Sequence, residues 1–275
     1  MNILNERSDD GLKRFLLIYK KINPEAKIGR IYNIAKNTIR YLNGNGNIRK
    51  SLKESQQLEN LWYKSLENNN PDFNLYDHDY YLSELWACWR VYSRKYIMAI
   101  SDRKSLFDTS IKKDLEKVKN IVDLGCGIGY TSAALKLTFP NSNVIGTNIE
   151  FTKQSKFIEV IKNKYQFDIC YEIDNISKDI DLIFASEYFE HIQYPIYHLH
   201  EIVRKLSPRY FLIANSFNTR AIGHFNIYAD KHGAFITNDK ISRIFNREMR
   251  SLGYEKIKTR LWNNRPTYWK RLNNE

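Results

Sequence analysis

The chain has 275 residues, 43% of them apolar and 14% aromatic, which is enough for a large packed core and excludes an intrinsically disordered protein. No apolar run approaches the roughly 18 residues of a membrane span, and the first residues carry no basic-then-apolar leader, so neither a span nor export is expected. The formal net charge of +12 favours polyanionic partners, nucleic acid among them, yet Lys and Arg are spread evenly with no basic block.

Cys88, Cys126 and Cys170 are scattered without a CxxC pair and read as reduced thiols in a cytoplasmic protein. Residues 1–105 read as a helical region that covers or recognises a substrate. "SDDGLKRFLLIYKKI" sets Leu12, Phe15, Leu16 and Tyr19 at helical spacing behind Ser8 or Asp9 as N-cap. "PEAKIGRIYNIAKNTIRYL" opens on Pro24 and stops at Gly44-Asn45-Gly46-Asn47. A third helix, "SLKESQQLENLWYKSLE", runs into the polar "NNNPDFN". Asp77, His78 and Asp79 then read as a cap for the next helix or as a substrate-contact turn. That helix, "YYLSELWACWRVYSRKYIMAI", aligns Leu82, Leu85, Trp86 and Trp89 on a stripe read as a docking face in preference to a nucleic-acid stacking platform.

Over residues 106–275 the period changes. Short apolar runs ("NIVDLG", "NVIGTNI", "FDICYEID", "DLIFASE", "RYFLIANSF") alternate with helical segments, the pattern of βαβ units and a parallel sheet covered on both faces. The helix "TNDKISRIFNREMRSLG" precedes "YEKIKTRLW" and "PTYWKRL", which predict a terminal antiparallel hairpin.

"VDLGCGIGYTSAAL" puts Gly125, Gly127 and Gly129 between a strand and a helix, where the backbone can pass close to a ligand beside a helix N-terminus. Asp123, just before the first glycine, would repel a pyrophosphate but suits a cationic group, which disfavours a nicotinamide or flavin site. "VDLGCGIG" resembles motif I of the class I S-adenosylmethionine-dependent methyltransferases, and the element order over residues 110–272 is similar to that family. The resemblance implies an α/β fold with a Rossmann-like, seven-stranded, mostly parallel sheet. It implies that Asp123, Gly125, Cys126, Gly127 and Gly129 hold the methionine part of S-adenosylmethionine. Asn148, with Ile149, stands where the family carries its ribose-binding acid, Glu150 being the neighbouring substitute. Asp174 and Asn175 fall where adenine is faced, and Ser186 closes the fourth strand beside the donor.

"DLIFASEYFEHI" ends that strand with Glu187, Glu190 and His191, which share one face if the chain turns helical after Ser186. This ExxEH pattern resembles two groups of metal-assisted O-methyltransferases, one acting on the 2′-hydroxyl at the 3′ end of small RNAs, the other on catechol-like rings of ubiquinone precursors. The resemblance implies that Glu187, Glu190 and His191 bind Mg²⁺ or another divalent metal with a later histidine, for which His232 matches and His224 is the other candidate. A metal held by carboxylates and imidazole would lower the pKa of an acceptor hydroxyl and position it for in-line attack on a sulfonium. Three other readings stand beside it: His191 as a lone general base, an acidic cluster placed at a helix N-terminus, and His232 as an ordinary surface histidine. His78, His198 and His200 read as structural. The expected reaction is O-methylation of a small molecule or sugar. The alternatives are a ribose 2′-O enzyme acting on nucleic acid and, given Asn148, a non-catalytic binding protein; amino methylation of a base lacks its DPPY-like tetrad.

Overall fold

The computed structural model describes residues 48–78, 80–82, 96–97, 100, 109–176, 179–230, 232–259 and 266–272. The helices expected over 8–22 and 24–42 lie outside the described residues, as do Leu85, Trp86 and Trp89.

A single sheet of seven strands forms the centre. In chain order β1 (Asn120–Leu124), β2 (Asn143–Thr147), β3 (Asp168–Cys170), β4 (Leu182–Ser186) and β5 (Tyr210–Ala214) run parallel, as the apolar runs predicted. β6 (Ile227–Ala229) and β7 (Phe235–Thr237) form a separate two-stranded ribbon between β5 and the helix expected from "TNDKISRIFNREMRSLG". β8 (Tyr254–Ile257) pairs antiparallel with β9 (Thr267–Arg271), and β9 pairs antiparallel with β5, so the expected terminal hairpin closes one edge. The order is β3-β2-β1-β4-β5-β9-β8, with the switch in strand direction of travel between β1 and β4. Ligands of such sheets sit outside the carboxyl ends of the strands at that switch.

The strands are apolar on both faces because both are covered. In β1, β4 and β5, Ile121, Leu182, Phe184 and Leu212 enter one core, while Val122, Ile183, Ala185, Phe211 and Ile213 enter the other. This is the period-two alternation of a pleated strand with both sides buried. The first core takes α2 (Thr109–Leu115), α3 (Tyr130–Thr138) and α4 (Thr152–Tyr165) through Ile111, Ala134 and Phe157. The second takes α5 (Pro195–Leu206) and α6 (Asn238–Ser251), through Leu199 and Phe245. It also takes α1 (Ile48–Glu67), whose Leu58 and Trp62 stand one helical turn apart and are buried. A described part of the N-terminal region therefore shares a core with the sheet. Among the described residues no helix is long and apolar enough to cross a membrane.

Candidate active site

At the carboxyl end of β1 the chain turns back on itself before α3. Gly125 takes φ +67°, and a Cβ there would stand 2.6 Å from the Tyr188 ring, so only glycine lets that ring lie on the turn. The Cys126 N–H donates to the Thr147 carbonyl at 2.8 Å, pinning the turn to the end of β2. Asp123 does not face outward from this turn. It is 1% exposed, and its Oδ2 accepts from the Thr131 and Ser132 hydroxyls at 2.6 Å each. Burial raises its pKa to about 7 in spite of those bonds.

A cavity of about 680 Å³ opens over the turn, within the range of small-molecule sites. Gly125, Gly127, Asn148, Ile149 and Asp174 line one part of it. Glu187, His191, Ile222 and His224 line another, and Phe73, Tyr76 and Tyr81 wall it from the side of the N-terminal region. Lys205 pairs with Asp174 at the rim.

The β4 end does not continue as a regular helix. Glu187 takes φ +50°, in the left-handed region, and only Phe189–His191 forms a 3₁₀ turn. The kink parts His191 from the two glutamates instead of setting all three along one stripe. Glu187 and Glu190 converge on Ser216, just beyond β5. Glu187 Oε1 accepts from the Ser216 hydroxyl at 3.1 Å and Glu190 Oε1 from the Ser216 N–H at 2.6 Å. Glu190 is fully buried, and its Oε2 has no hydrogen-bond partner among the described residues. Burial and then the Glu187 charge push the Glu190 carboxyl well above the usual range.

His191 turns instead toward the N-terminal region, where its Nδ1 is hydrogen-bonded to the Tyr76 hydroxyl at 2.8 Å. Gly223, at φ +85°, makes this possible, because a Cβ there would stand 1.9 Å from that hydroxyl and 2.4 Å from Nδ1. The His224 ring meets His191 edge-on with centroids 4.6 Å apart. Burial, and then His224, keep His191 neutral; burial lowers His224 as well. His224 Nδ1 lies 2.6 Å from the Thr219 carbonyl. A carbonyl only accepts, so Nδ1 carries the proton and Nε2 keeps a lone pair. Ligand atoms of Glu187, Glu190 and His224 all lie within 4.8 Å of one another.

A methyltransferase-domain family model matches residues 92–257, more than half of the chain. The chain belongs to the methyltransferase-domain family. Among solved structures, the mitomycin 7-O-methyltransferase MmcR superposes with a TM-score of 0.50 over 76% of this chain and 62% of that one, at 11% identity. An O-methyltransferase family protein from Burkholderia thailandensis gives 0.47 over 72% and 61% at 10% identity. An O-methyltransferase from a trans-AT PKS multienzyme of Brevibacillus brevis, in complex with S-adenosyl-L-homocysteine, gives 0.42 over 65% and 57% at 15% identity. The chain thus spans under two thirds of each of these proteins, and the first likeness bears on fold alone. No curated protein matches the chain.

Within the methyltransferase domain, the residues expected at the site divide into three groups. Gly125, Cys126, Gly127, Asn148, Ile149, Asp174, Ser186, Glu187 and His191 line the cavity. Glu190 lies directly behind it, while Asp123 and Gly129 support the turn and the start of α3 from beneath. Asn175 is exposed, its side chain donating to Glu172. His232 does not join the acidic cluster. It stands exposed in the turn between β6 and β7, its N–H donating to Asp230 Oδ1 at 2.8 Å, and the histidine beside the two glutamates is His224. His191 also lies outside the set whose ligand atoms converge, and its Nδ1 is hydrogen-bonded to the Tyr76 hydroxyl. His78 caps locally, accepting from the Tyr80 N–H, and His200 pairs with Glu248, as structural histidines do. His198, read as structural, lines the cavity and is hydrogen-bonded to the Tyr188 hydroxyl. Tyr76, Gln154 and Tyr188 were missed; each belongs to the cavity wall, and no local spacing marks them.

Proposed function

We propose that this methyltransferase transfers the methyl group of S-adenosylmethionine to a hydroxyl oxygen of a small molecule or sugar. The observation that carries the reading is the cluster of Glu187, Glu190 and His224 at the cavity wall, where Glu187 and His224 face the space that also exposes the glycine turn. The turn and the β2 end would hold the donor, with Asp174 near its base. The acceptor would enter between the acidic cluster and the aromatic wall of Phe73, Tyr76 and Tyr81.

The reaction forms a bond from the acceptor oxygen to the methyl carbon and breaks the carbon–sulfur bond, whose electron pair neutralises the sulfonium. The acceptor proton must leave. Glu187, which faces the cavity, is suited to take it, with the buried carboxyl of Glu190 directly behind it. His191, neutral and tied to Tyr76, sets the edge of the acceptor site against His224.

The same residues fit a divalent cation. Glu190 Oε2 is buried and without a partner among the described residues, and the His224 tautomer leaves Nε2 able to ligate. Glu187, Glu190 and His224 would hold such an ion, which when bound would supply Lewis acidity to the acceptor oxygen.

Calorimetry tests both halves. S-adenosylhomocysteine is expected to bind the wild type and Glu190→Gln alike, while Mn²⁺ binds the wild type and not the variant. Failure of the wild type to bind S-adenosylhomocysteine would defeat the methyltransferase reading. Equal Mn²⁺ binding by both proteins would defeat the metal site alone.

A further inference from the structure

An unbroken run of hydrogen bonds joins the glycine turn to the aromatic wall of the cavity, and it passes through the residue standing where the family has its ribose-binding acid. Asn148 Nδ2 donates to the Gly127 carbonyl and to Gln154 Oε1, each at 2.9 Å. Gln154 Nε2 donates in turn to the Tyr76 carbonyl at 2.9 Å. Backbone fixes the orientation of both amides. A carbonyl only accepts, so Nδ2 must face Gly127 and Nε2 must face Tyr76. The Ile149 N–H, donating to Asn148 Oδ1 at 2.9 Å, holds Asn148 the same way round. Gln154 is 2% exposed, so water competes little for its bonds.

We propose that Asn148 is a positioning residue, which ties the strap of residues 71–78 to the glycine turn instead of clasping a ribose. An amide stands here because it can donate in both directions. An acid at 148 would set a carboxylate against the Gly127 carbonyl and against Gln154 Oε1. Turning the Gln154 amide over would satisfy that carboxylate but would set Oε1 against the Tyr76 carbonyl. Either way one link opens. The strap carries Phe73 and Tyr76 into the cavity wall, and Tyr76 in turn holds His191. The change that should tighten ribose binding in this fold therefore loosens the acceptor wall in this chain. Its meaning for catalysis rests on the methyltransferase reading; the linkage itself does not.

The test is hydrogen exchange across residues 71–78 and at the Lys153 and Gln154 amides, in Asn148→Asp, Gln154→Ala and the double variant. Asn148→Asp is expected to speed exchange there about 5–10-fold, the effect of losing roughly one net hydrogen bond. In the Gln154→Ala background it is expected to add almost nothing, because the link is already cut. Unchanged exchange in Asn148→Asp, or equal acceleration in both backgrounds, overturns the proposal. Calorimetry with S-adenosylhomocysteine on the same proteins separates the two ideas. A wild type that binds none defeats the proposed function and leaves the exchange result readable. Tighter binding by Asn148→Asp with an unmoved strap would return position 148 to the ribose.

Discussion

Glu190 is a carboxyl group with nowhere to place its charge, and that has a consequence for stability as a function of pH. Burial, and next the Glu187 charge, raise its pKa well above the ordinary 4.5. A carboxyl raised on folding binds its proton more tightly folded than unfolded. Its contribution is therefore full below the unfolded value of 4.5 and is lost as pH rises toward the folded pKa. Glu190→Gln stays neutral and keeps an oxygen for the Ser216 N–H. In chelator-containing buffer the variant should gain on the wild type as pH rises from 5 to 8, by about 1–3 kcal/mol, the range for an uncompensated buried polar group. Thermal unfolding of both proteins across that range measures the gain. A variant that loses ground at pH 8 would mean that the carboxylate is well satisfied where it stands. The imidazoles of His191 and His224 work in the opposite sense, since their lowered pKa values withdraw stability as pH falls below 6.5. They are common to both proteins and cancel in the difference.

At the scale of elements, α4 is capped from outside itself. Its own N-cap, Phe151, supplies no side-chain bond, and Asp77 does so from the strap, accepting from the Lys153 N–H at 2.9 Å and the Gln154 N–H at 3.2 Å. The carboxylate also meets the positive end of the helix dipole. Asp77→Ala should cost about 1 kcal/mol, as the loss of an N-cap does, and denaturant titration should show it as a lower midpoint with an unchanged slope. An unchanged midpoint would mean that water replaces the carboxylate without loss. From sequence, Asp77 reads as a cap for the helix after it or as a substrate-contact turn, because capping is a local rule, whereas this contact spans 77 residues. The same boundary divides the rest. β1, β2, β4, β5, α3 and α6 were legible since burial on one or both faces writes its period into consecutive residues. The β6–β7 ribbon has three-residue strands, too short to show any period. The Glu187 kink and the choice of His224 over His232 were not legible either, for both depend on which loop the fold brings to the β4 end.

At the scale of the molecule, the net charge of +12 would suit a polyanion, but the cavity is walled by aromatic groups and bounded by the Glu59–Arg220 pair. That pair joins α1 to the loop between β5 and β6, and a second contact makes the same crossing. Trp62, fully buried on α1, donates its Nε1–H to the His224 carbonyl at 2.7 Å, across 162 residues of chain. The backbone of a candidate ligand is therefore held by a helix far from it in sequence, as partners beyond the ligands themselves commonly hold metal sites. Trp62→Phe keeps an aromatic ring against Phe73 and Phe225 but leaves that carbonyl without its donor. The unpaired carbonyl should cost about 1–3 kcal/mol of stability. The loop that carries His224 should then sample other positions, and Mn²⁺ affinity should fall roughly 10-fold or more, the usual effect of losing a supporting bond around a metal ligand. The glycine turn rests on β1 and the end of β2, so S-adenosylhomocysteine affinity should hardly move. Titrating both ligands into both proteins gives the answer: parallel losses would mean general unfolding, and an unchanged Mn²⁺ affinity would mean that α1 has no part in setting the acidic cluster.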